Sequence, residues 1–306
     1  MDSQIQMLMT YHKSVLLEES IEGLKIKPNG IYVDVTFGGG GHSRLILKKL
    51  ERGRLFSFDH DIDAHQNSLS SKSFTLINAN FRYIKHFLRM EGVEKIDGLL
   101  ADLGVSSYQF DHMERGFSIR FDSLLDMRMN NEIVLTAKEV VNTYDESQLA
   151  DIFYEYGDLR QARSISKIIV NARKNKIINT TGELIDLISQ LTSEKHKNKF
   201  LARVFQALRI EVNDEINALT EMLESATDLL VSRGRLVVIS YHSTEDRIVK
   251  NLVKKGNVNG DLQKDFFGNK KQIFQPINKK VIVPSSEEVK ANTRSRSAKL
   301  RIAEKI

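Results

Sequence analysis

A glycine-rich segment is the first part of the chain that suggests chemistry. Thr36-Phe-Gly-Gly-Gly-Gly-His-Ser43 directly follows an apolar run and precedes a helical pattern. Glycines at such a place let the backbone approach a ligand closely, and the free N–H groups of the next helix can face a polar or anionic group. No Gly-Lys-Ser/Thr follows, and Ser43 stands where a dinucleotide loop needs its third glycine. Taken alone, the segment fits a nucleotide-like ligand or merely a tight turn.

Asp59 strengthens the case for a nucleotide-like ligand. It ends a second apolar run, 18 residues after Gly41. A carboxylate there can accept hydrogen bonds from both ribose hydroxyls of an adenosine ligand, as in a dinucleotide fold or an S-adenosylmethionine methyltransferase. A calcium loop is the rival interpretation, because Asp59 opens an Asp-x-Asp-x-Asp pattern. Ala64 and Ser70 stand where that loop needs Gly and a bidentate Glu, so we expect no metal.

Two further residues follow strand-like runs. Phe81 comes after the third run, where its ring could flank an adenine or fill the core at the start of a helix. Asp102 ends the fourth run, beside the point where the strand order of a doubly wound sheet reverses and a transferred group meets its acceptor. The next dozen residues show no helical pattern, which disfavours a capping role for Asp102.

The segment Tyr241-His-Ser-Thr-Glu-Asp-Arg247 follows the fifth strand-like run. Ser243 and Asp246 have the spacing of a reciprocal helix N-cap, which leaves His242 without a capping role. We interpret His242 either as a residue beside the acceptor pocket or as a structural histidine. The chain has no Gly-x-Ser-x-Gly segment, and a serine hydrolase is therefore a poor alternative.

Alternating elements in the first third of the chain predict the fold that positions these residues. Helical patterns occupy residues 43–50, 64–69 and 81–90. They separate strand-like apolar runs at residues 31–35, 55–58, 74–77 and 96–102. Repeated β-α-β units of this length require a parallel sheet with helices on its faces. We therefore predict a doubly wound α/β fold.

The middle of the chain shows helical spacings and no strand signal. These spacings occupy residues 136–142, 146–156, 163–174, 182–191 and 199–210. A strand-like run at 234–240 and a helical pattern at 245–253 then resume the α/β alternation. We predict one discontinuous α/β domain, residues 1–107 and 212–306, interrupted by an all-helical domain at 108–211 that recognises the substrate. Residues 254–275 are predicted to form a mobile loop.

The charge distribution points to a polyanionic partner. The 306-residue chain carries a net charge of +5, but residues 1–246 carry −5 and residues 247–306 carry +10. Arg294, Arg296, Lys299 and Arg301 lie within eight residues, and guanidinium groups pair bidentately with phosphates. This segment is either an RNA contact or a last strand, residues 298–303, whose outward side chains happen to be basic.

Composition excludes several classes of protein. The chain has no Cys, which excludes disulfides, thiolate metal sites and a cysteine nucleophile. The start of the chain lacks the pattern of a signal peptide, and no apolar stretch approaches the roughly 18 residues of a membrane span. We expect a soluble, cytoplasmic protein.

Eight motifs between residues 12 and 301 resemble those of the RsmH (MraW) family. They are His12-Lys-Ser-Val-Leu-Leu17, Thr36-Phe-Gly-x-Gly-Gly-His-Ser43, Asp102-Leu-Gly-Val-Ser-Ser107, Glu114-Arg-Gly-Phe-Ser118, Leu125-Asp-Met-Arg-Met129, Phe205-Gln-Ala-Leu-Arg-Ile210, His242-Ser-x-Glu-Asp-Arg-Ile-Val-Lys250 and Arg296-Ser-x-x-Leu-Arg301. The resemblance implies a class I (Rossmann-like) S-adenosylmethionine methyltransferase sheet with an inserted helical domain. It also implies methylation of the N4 amino group of a cytidine in the decoding centre of 16S rRNA, in the small ribosomal subunit or its precursor.

The resemblance also implies roles for individual residues. The cofactor residues would be Gly40, Gly41 and His42 in the loop, Asp59 at the ribose, Phe81 near the adenine, and Asp102 and Gln109 beside the methionine end. Asp102 and His242 are the predicted catalytic residues. Two positions depart from the family pattern. Tyr108 stands where members commonly have Pro, and Gly39 where many have a larger residue.

Two other classes of function share part of this pattern. An NAD-type oxidoreductase would share the glycine loop and Asp59, but it has no need of a basic C-terminal end. A noncatalytic RNA-binding assembly factor would keep the basic end without a cofactor pocket. Binding of S-adenosylmethionine rather than NAD would distinguish a methyltransferase from an oxidoreductase. The methylation state of the rRNA would distinguish a methyltransferase from an assembly factor.

Overall fold

The computed structural model describes residues 14–261 and 272–306. In this part of the chain seven strands form one sheet in the order β3-β2-β1-β4-β5-β7-β6. The strands are β1 Ile31–Asp34, β2 Arg54–Asp59, β3 Phe74–Asn78, β4 Ile96–Asp102, β5 Leu230–Ser240, β6 Phe274–Pro276 and β7 Lys299–Lys305. The five predicted strand-like runs correspond to β1 to β5. The basic segment at residues 298–303, for which a last strand was one of two interpretations, corresponds to β7.

The sheet is doubly wound. Strands β1 to β5 pair in parallel, while β7 pairs antiparallel with both β5 and β6. The strand order reverses between β1 and β4, so the carboxyl ends of these two strands flank the crevice in which such sheets bind ligands. Val33, Phe56, Leu99 and Val238 are fully buried along the central strands. The predicted α/β fold is confirmed.

Helices flank the sheet and fill the middle of the chain. They are α1 Leu17–Leu24, α2 Gly41–Lys48, α3 Ile84–Met90, α4 Ser107–Asp111, α5 Ala137–Thr143, α6 Glu146–Glu155, α7 Ala162–Arg173, α8 Thr181–Ile188, α9 Lys197–Val212, α10 Glu215–Leu229, α11 Ser243–Lys255 and α12 Ser286–Ala291. Short 3₁₀ helices lie at Ile62–Asn67, Phe81–Tyr83, Met113–Arg115, Ser189–Leu191, Glu194–His196 and Thr293–Ser297. In the described residues, no helix combines the length and apolar composition that crossing a bilayer requires.

The chain divides into two compact units. The described residues up to Gly104 and from Asn217 onward form one unit, which holds the whole sheet. Residues Val105–Ile216 form the other, and its helices α5 to α9 bury a core that includes Leu149, Phe153 and Leu208. Amphipathic spacing produces this core, because each helix buries one apolar face against its neighbours.

The structure corrects some expectations about local elements. Residues 107–111 form the short helix α4, although no helix was expected after Asp102, because five residues are too few to show helical periodicity. Helices α1, α10 and α12 were also not predicted. Within the predicted loop at 254–275, α11 extends to Lys255 and β6 begins at Phe274. Residues 262–271 of that loop lie outside the described part of the chain.

Candidate active site

Three carboxylates lie at the carboxyl edge of the sheet. Asp34, Asp59 and Asp102 are the last residues of β1, β2 and β4, which are adjacent parallel strands in the order β2-β1-β4. Adjacent parallel strands bring their carboxyl ends to the same edge, so the three carboxyl groups lie at one edge of the sheet. Carboxyl groups at this edge can accept hydrogen bonds from a ligand that presents hydroxyl and amino groups.

The glycine loop joins β1 to α2 beside these carboxylates. Gly40, the N-cap of α2, has a φ of +73°, a left-handed conformation that other residues adopt at a cost. Gly38 has a φ of +50°, and a Cβ atom added to it would meet no atom within 4 Å. A Cβ added to Gly41 would overlap Ser14 Oγ. The loop thus leaves open space at Gly38 and packs closely at Gly41.

His42 is a buried histidine in the first turn of α2. Its side chain forms a hydrogen bond with the backbone of Val15, and burial lowers its pKa to about 4. The ring is therefore neutral at physiological pH. Nε2 has no hydrogen-bond partner among the described residues. A buried ring nitrogen of this kind is suited to a polar ligand group.

Asp59 is tied to the glycine loop. Its Oδ2 accepts a hydrogen bond from Gly38 N at 2.8 Å, and its Oδ1 accepts one from Asp61 N at 2.9 Å. Burial raises the pKa of Asp59, while both backbone donors lower it. Asp61 in turn accepts a hydrogen bond from Asp63 N and caps the 3₁₀ helix that follows. The Asp-x-Asp-x-Asp pattern thus includes a helix cap.

Asp34 is a candidate site residue that the sequence analysis did not single out. Its Oδ2 accepts a hydrogen bond from Ser43 Oγ at 2.7 Å, and its Oδ1 accepts one from Thr36 N at 3.2 Å. Complete burial raises its pKa to about 7. Asp34 links both ends of the glycine loop. The sequence feature that could have identified Asp34 is that it is the single carboxylate in the apolar run at residues 31–35, just before the glycines.

Asp102 forms a buried pair with Tyr241. The Tyr241 hydroxyl donates to Asp102 Oδ1 at 2.8 Å, and the Asp102 backbone N–H donates to Thr36 Oγ1 at 2.7 Å. Burial raises the pKa of Asp102 to about 7, although the bond from Tyr241 lowers it. Burial raises the pKa of Tyr241 far above its usual value, so the hydroxyl remains a donor. The sequence singled out Asp102 but not Tyr241.

His242 has a structural role that the sequence interpretation missed. It is the N-cap of α11, with Glu245 rather than Asp246 as its reciprocal partner. Its Nε2 lies 3.0 Å from Glu245 Oε1, and Glu245 Oε2 accepts a hydrogen bond from Tyr241 N at 2.9 Å. The expected cap at Ser243 was wrong by one residue, because an imidazole nitrogen can replace the usual side-chain oxygen. A catalytic role for His242 stays a prediction.

Phe81 and Gln109 lie in different units. Phe81 begins the 3₁₀ helix after β3 and packs, partly buried, against the core of the sheet. Gln109 is buried in the helical unit, where its Oε1 accepts a hydrogen bond from Ser106 N at 3.1 Å. Gln109 therefore stabilises α4 through a capping box. Its proposed contact with the methionine end stays a prediction.

The C-terminal basic residues fall into two groups. Arg301 on β7 donates from Nε and Nη2 to the two carboxylate oxygens of Asp246, at 2.8 and 3.1 Å. Lys299 Nζ lies 3.6 Å from the same carboxylate. Arg296 is exposed and Arg294 half-buried in the 3₁₀ helix before β7. Asp246 thus offsets positive charge at Lys299 and Arg301.

The raised pKa of Asp34 predicts a pH-dependent stability. Its carboxyl group binds a proton more tightly in the folded chain, with a pKa of about 7, than in the unfolded chain, where 3.8 is usual. Its contribution to the free energy of unfolding is present at low pH and is lost as the pH rises towards 7. Between pH 4 and 7.5, the free energy of unfolding of Asp34→Asn should therefore fall by about 2–4 kcal/mol less than that of the wild type.

Urea denaturation of the ligand-free protein across that pH range measures the effect. Asp151→Asn, at an exposed position on α6, is the matched control and should keep the wild-type pH dependence. Equal slopes for wild type and Asp34→Asn would contradict the assignment.

The fold and the site together define a class of protein. A seven-stranded sheet with one antiparallel strand, a glycine loop after β1 and acids ending β1, β2 and β4 is the arrangement of class I methyltransferases. The model of the MraW methylase family matches residues 9–306. The chain belongs to the MraW methylase family. It is a methyltransferase, and S-adenosylmethionine is its cofactor.

Several known proteins are similar to the chain over nearly its full length. Ribosomal RNA small subunit methyltransferase H of Bacteroides thetaiotaomicron is 56% identical over 298 residues, which cover 97% of this chain and 98% of that protein. The protein of the same name from Flavobacterium johnsoniae is 54% identical, with 97% and 99% covered. A crystal structure of an rRNA methylase from Streptococcus thermophilus is 13% identical, covers 96% of this chain and 98% of that chain, and has a TM-score of 0.42.

Proposed function

We propose that the chain transfers a methyl group from S-adenosylmethionine to the N4 amino group of a cytidine in the decoding centre of 16S rRNA. The near full-length similarity to relatives named Ribosomal RNA small subunit methyltransferase H carries this proposal. The substrate would be the small ribosomal subunit or its precursor, because a single cytosine offers too few contacts for selection. The site of action would then be the cytoplasm, and the chemistry needs no metal.

The residues at the sheet edge fit the cofactor. The open space at Gly38, the unpartnered Nε2 of His42 and the carboxylate of Asp59 provide room, a polar contact and an acceptor for ribose hydroxyls. Phe81 would lie near the adenine, and Asp102 near the methionine end. S-adenosylmethionine supplies an electrophilic methyl group when it is bound.

Asp102 is the residue best suited to orient the amine that accepts the methyl group. The N4 lone pair of cytosine is delocalised into the ring, so the amine is a weak nucleophile whose N–H groups need acceptors. Tyr241 holds Oδ1 of Asp102, which fixes the carboxylate in one orientation. Backbone carbonyls of residues 103–106 would supply further acceptors. Positioning of this kind, in a site whose polar groups are already ordered, provides most of the catalysis.

The helical unit, residues 105–216, is the proposed substrate-recognition unit. The sheet unit contains every proposed cofactor residue except Gln109. The half-buried Arg294 and the exposed Arg296 would add contacts to RNA phosphates. Structured RNA, rather than a short unstructured oligonucleotide, is therefore the expected substrate.

A methyl-transfer assay tests the proposed function. Small ribosomal subunits from a strain that lacks this protein are incubated with radiolabelled S-adenosylmethionine and the purified enzyme, and the RNA is digested to nucleosides. The proposal predicts label in N4-methylcytidine. Calorimetric binding of NAD instead of S-adenosylmethionine would favour an oxidoreductase, and binding of the subunit without transfer would favour an assembly factor.

Replacement of both Arg294 and Arg296 by alanine is expected to weaken RNA binding. Each phosphate that a cation neutralises releases counterions. The slope of log affinity against log salt concentration should therefore become less steep, by an amount that corresponds to about two phosphate contacts. Filter binding of small subunits at several salt concentrations measures this slope. Affinity for S-adenosylmethionine should stay unchanged. An unchanged slope would show that these two charges only face solvent.

A further inference from the structure

Tyr108 and His112 form an aromatic pair on the surface of the helical unit. Their ring centroids lie 3.7 Å apart and their planes differ by 33°. Tyr108 is 38% exposed. Exposed aromatic faces of this kind stack on nucleobases in proteins that bind single-stranded RNA, because every base offers a π face.

The pair is fixed in place by the backbone. The backbone N–H of His112 donates to Tyr108 O at 3.1 Å, and its Nδ1 lies 2.9 Å from the same oxygen. A carbonyl oxygen only accepts, so Nδ1 carries a proton in this arrangement. The capping box of Ser106 and Gln109 also holds the first turn of α4. Stacking of a ligand on this pair therefore costs little side-chain conformational entropy, because the two rings are already ordered.

The position of Tyr108 in the chain suits a contact with substrate. Tyr108 follows Asp102 by six residues, and six residues of extended chain span at most about 21 Å. A few nucleotides of extended RNA span the same distance. The length of the intervening chain therefore limits the distance between Asp102 and Tyr108 to a span that a few nucleotides can cover.

We propose that Tyr108 and His112 form a stacking site for an unpaired base of the RNA substrate. This inference rests on the proposed function and adds a contact to an unpaired base within the structured RNA. Tyr108 supplies the stacking face, and His112 supports it. The site requires a ring at position 108 but not a hydroxyl.

A fluorescence experiment tests the stacking site directly. The chain has no tryptophan, so Tyr108→Trp introduces the only indole. Stacking on a base quenches indole fluorescence, and we expect small ribosomal subunits from a strain lacking this enzyme to quench it. The matched control is Met90→Trp at the end of α3 in the sheet unit, where the native side chain is 70% exposed, and this variant should not be quenched beyond bulk absorption. Equal quenching of both variants would overturn the proposal.

Kinetics provide a second test that a purely structural role would not pass. Tyr108→Phe should keep the wild-type KM for subunits, whereas Tyr108→Leu should raise it about 5- to 100-fold with unchanged affinity for S-adenosylmethionine. An unchanged KM for Tyr108→Leu would overturn the stacking site. So would equal losses in the Phe and Leu variants. If wild-type enzyme does not methylate the subunits at all, the proposed function fails instead.

Discussion

Asp102→Asn is expected to lower kcat/KM by about 10²- to 10³-fold, with most of the loss in S-adenosylmethionine binding. The asparagine Oδ1 can still accept the hydrogen bond from Tyr241, so the fold should persist. The variant removes the negative charge that would face the cofactor's amino group and the cytosine amine. Steady-state kinetics with both substrates separate the two contributions.

The two possible roles of Asp102 differ in their kinetic effects. A residue that only holds the cofactor changes the KM for S-adenosylmethionine, whereas a residue that aligns the amine in the transition state changes kcat. We expect both constants to change, with the larger effect on KM. Wild-type values of both would exclude Asp102 from the site and direct attention to His242 and the carbonyls of residues 103–106.

Tyr241→Phe provides the matched comparison for Asp102. The hydroxyl lowers the pKa of Asp102 against the effect of burial, so its removal should raise that pKa from its value of about 7. If activity requires the carboxylate, the rise of kcat/KM with pH should shift to higher pH in this variant. An unshifted pH profile would show that the Tyr241 hydroxyl does not control the charge of Asp102.

Asp59→Ala is expected to weaken S-adenosylmethionine binding by about 1.5–3 kcal/mol, because the carboxylate would accept charge-assisted hydrogen bonds from the ribose hydroxyls. This loss corresponds to roughly 10- to 150-fold in Kd. The substitution also removes the acceptor for Gly38 N, so part of the loss comes from the glycine loop. Titration calorimetry measures the affinity.

Two control variants separate these contributions at Asp59. Asp59→Asn keeps an oxygen acceptor for Gly38 N but lacks the charge, so it should lie between wild type and Asp59→Ala. Asp63→Ala, in the same segment, should retain wild-type affinity. Unchanged affinity in Asp59→Ala would remove this residue from the cofactor site.

Residues at strand ends were predictable from the sequence because the apolar runs stop at them. Asp59 and Asp102 each close a run of buried residues, and the glycine loop follows another. Asp34 was missed because it lies within its run, where a buried carboxylate is rare unless it has partners. Its partners, Thr36 and Ser43, became evident only from the loop conformation.

Contacts between distant segments were not predictable in the same way. Tyr241 and Asp102 are 139 residues apart, and their hydrogen bond depends on β4 and β5 being neighbours. The ion pair of Arg301 with Asp246 depends similarly on α11 lying beside β7. The N-cap at His242 depends on the backbone dihedral angles that begin α11, which residue spacing alone did not determine.

The most direct test of the proposed function is nucleoside mass spectrometry of 16S rRNA from a strain that lacks this protein. The analysis compares the decoding-centre fragment from the parent strain, the deletion strain and the deletion strain supplied with wild-type or Asp59→Ala protein. We expect N4 methylation of one cytidine to disappear on deletion, to return with the wild-type protein and to return only weakly with the variant. Undiminished N4 methylation in the deletion strain would contradict the proposed function.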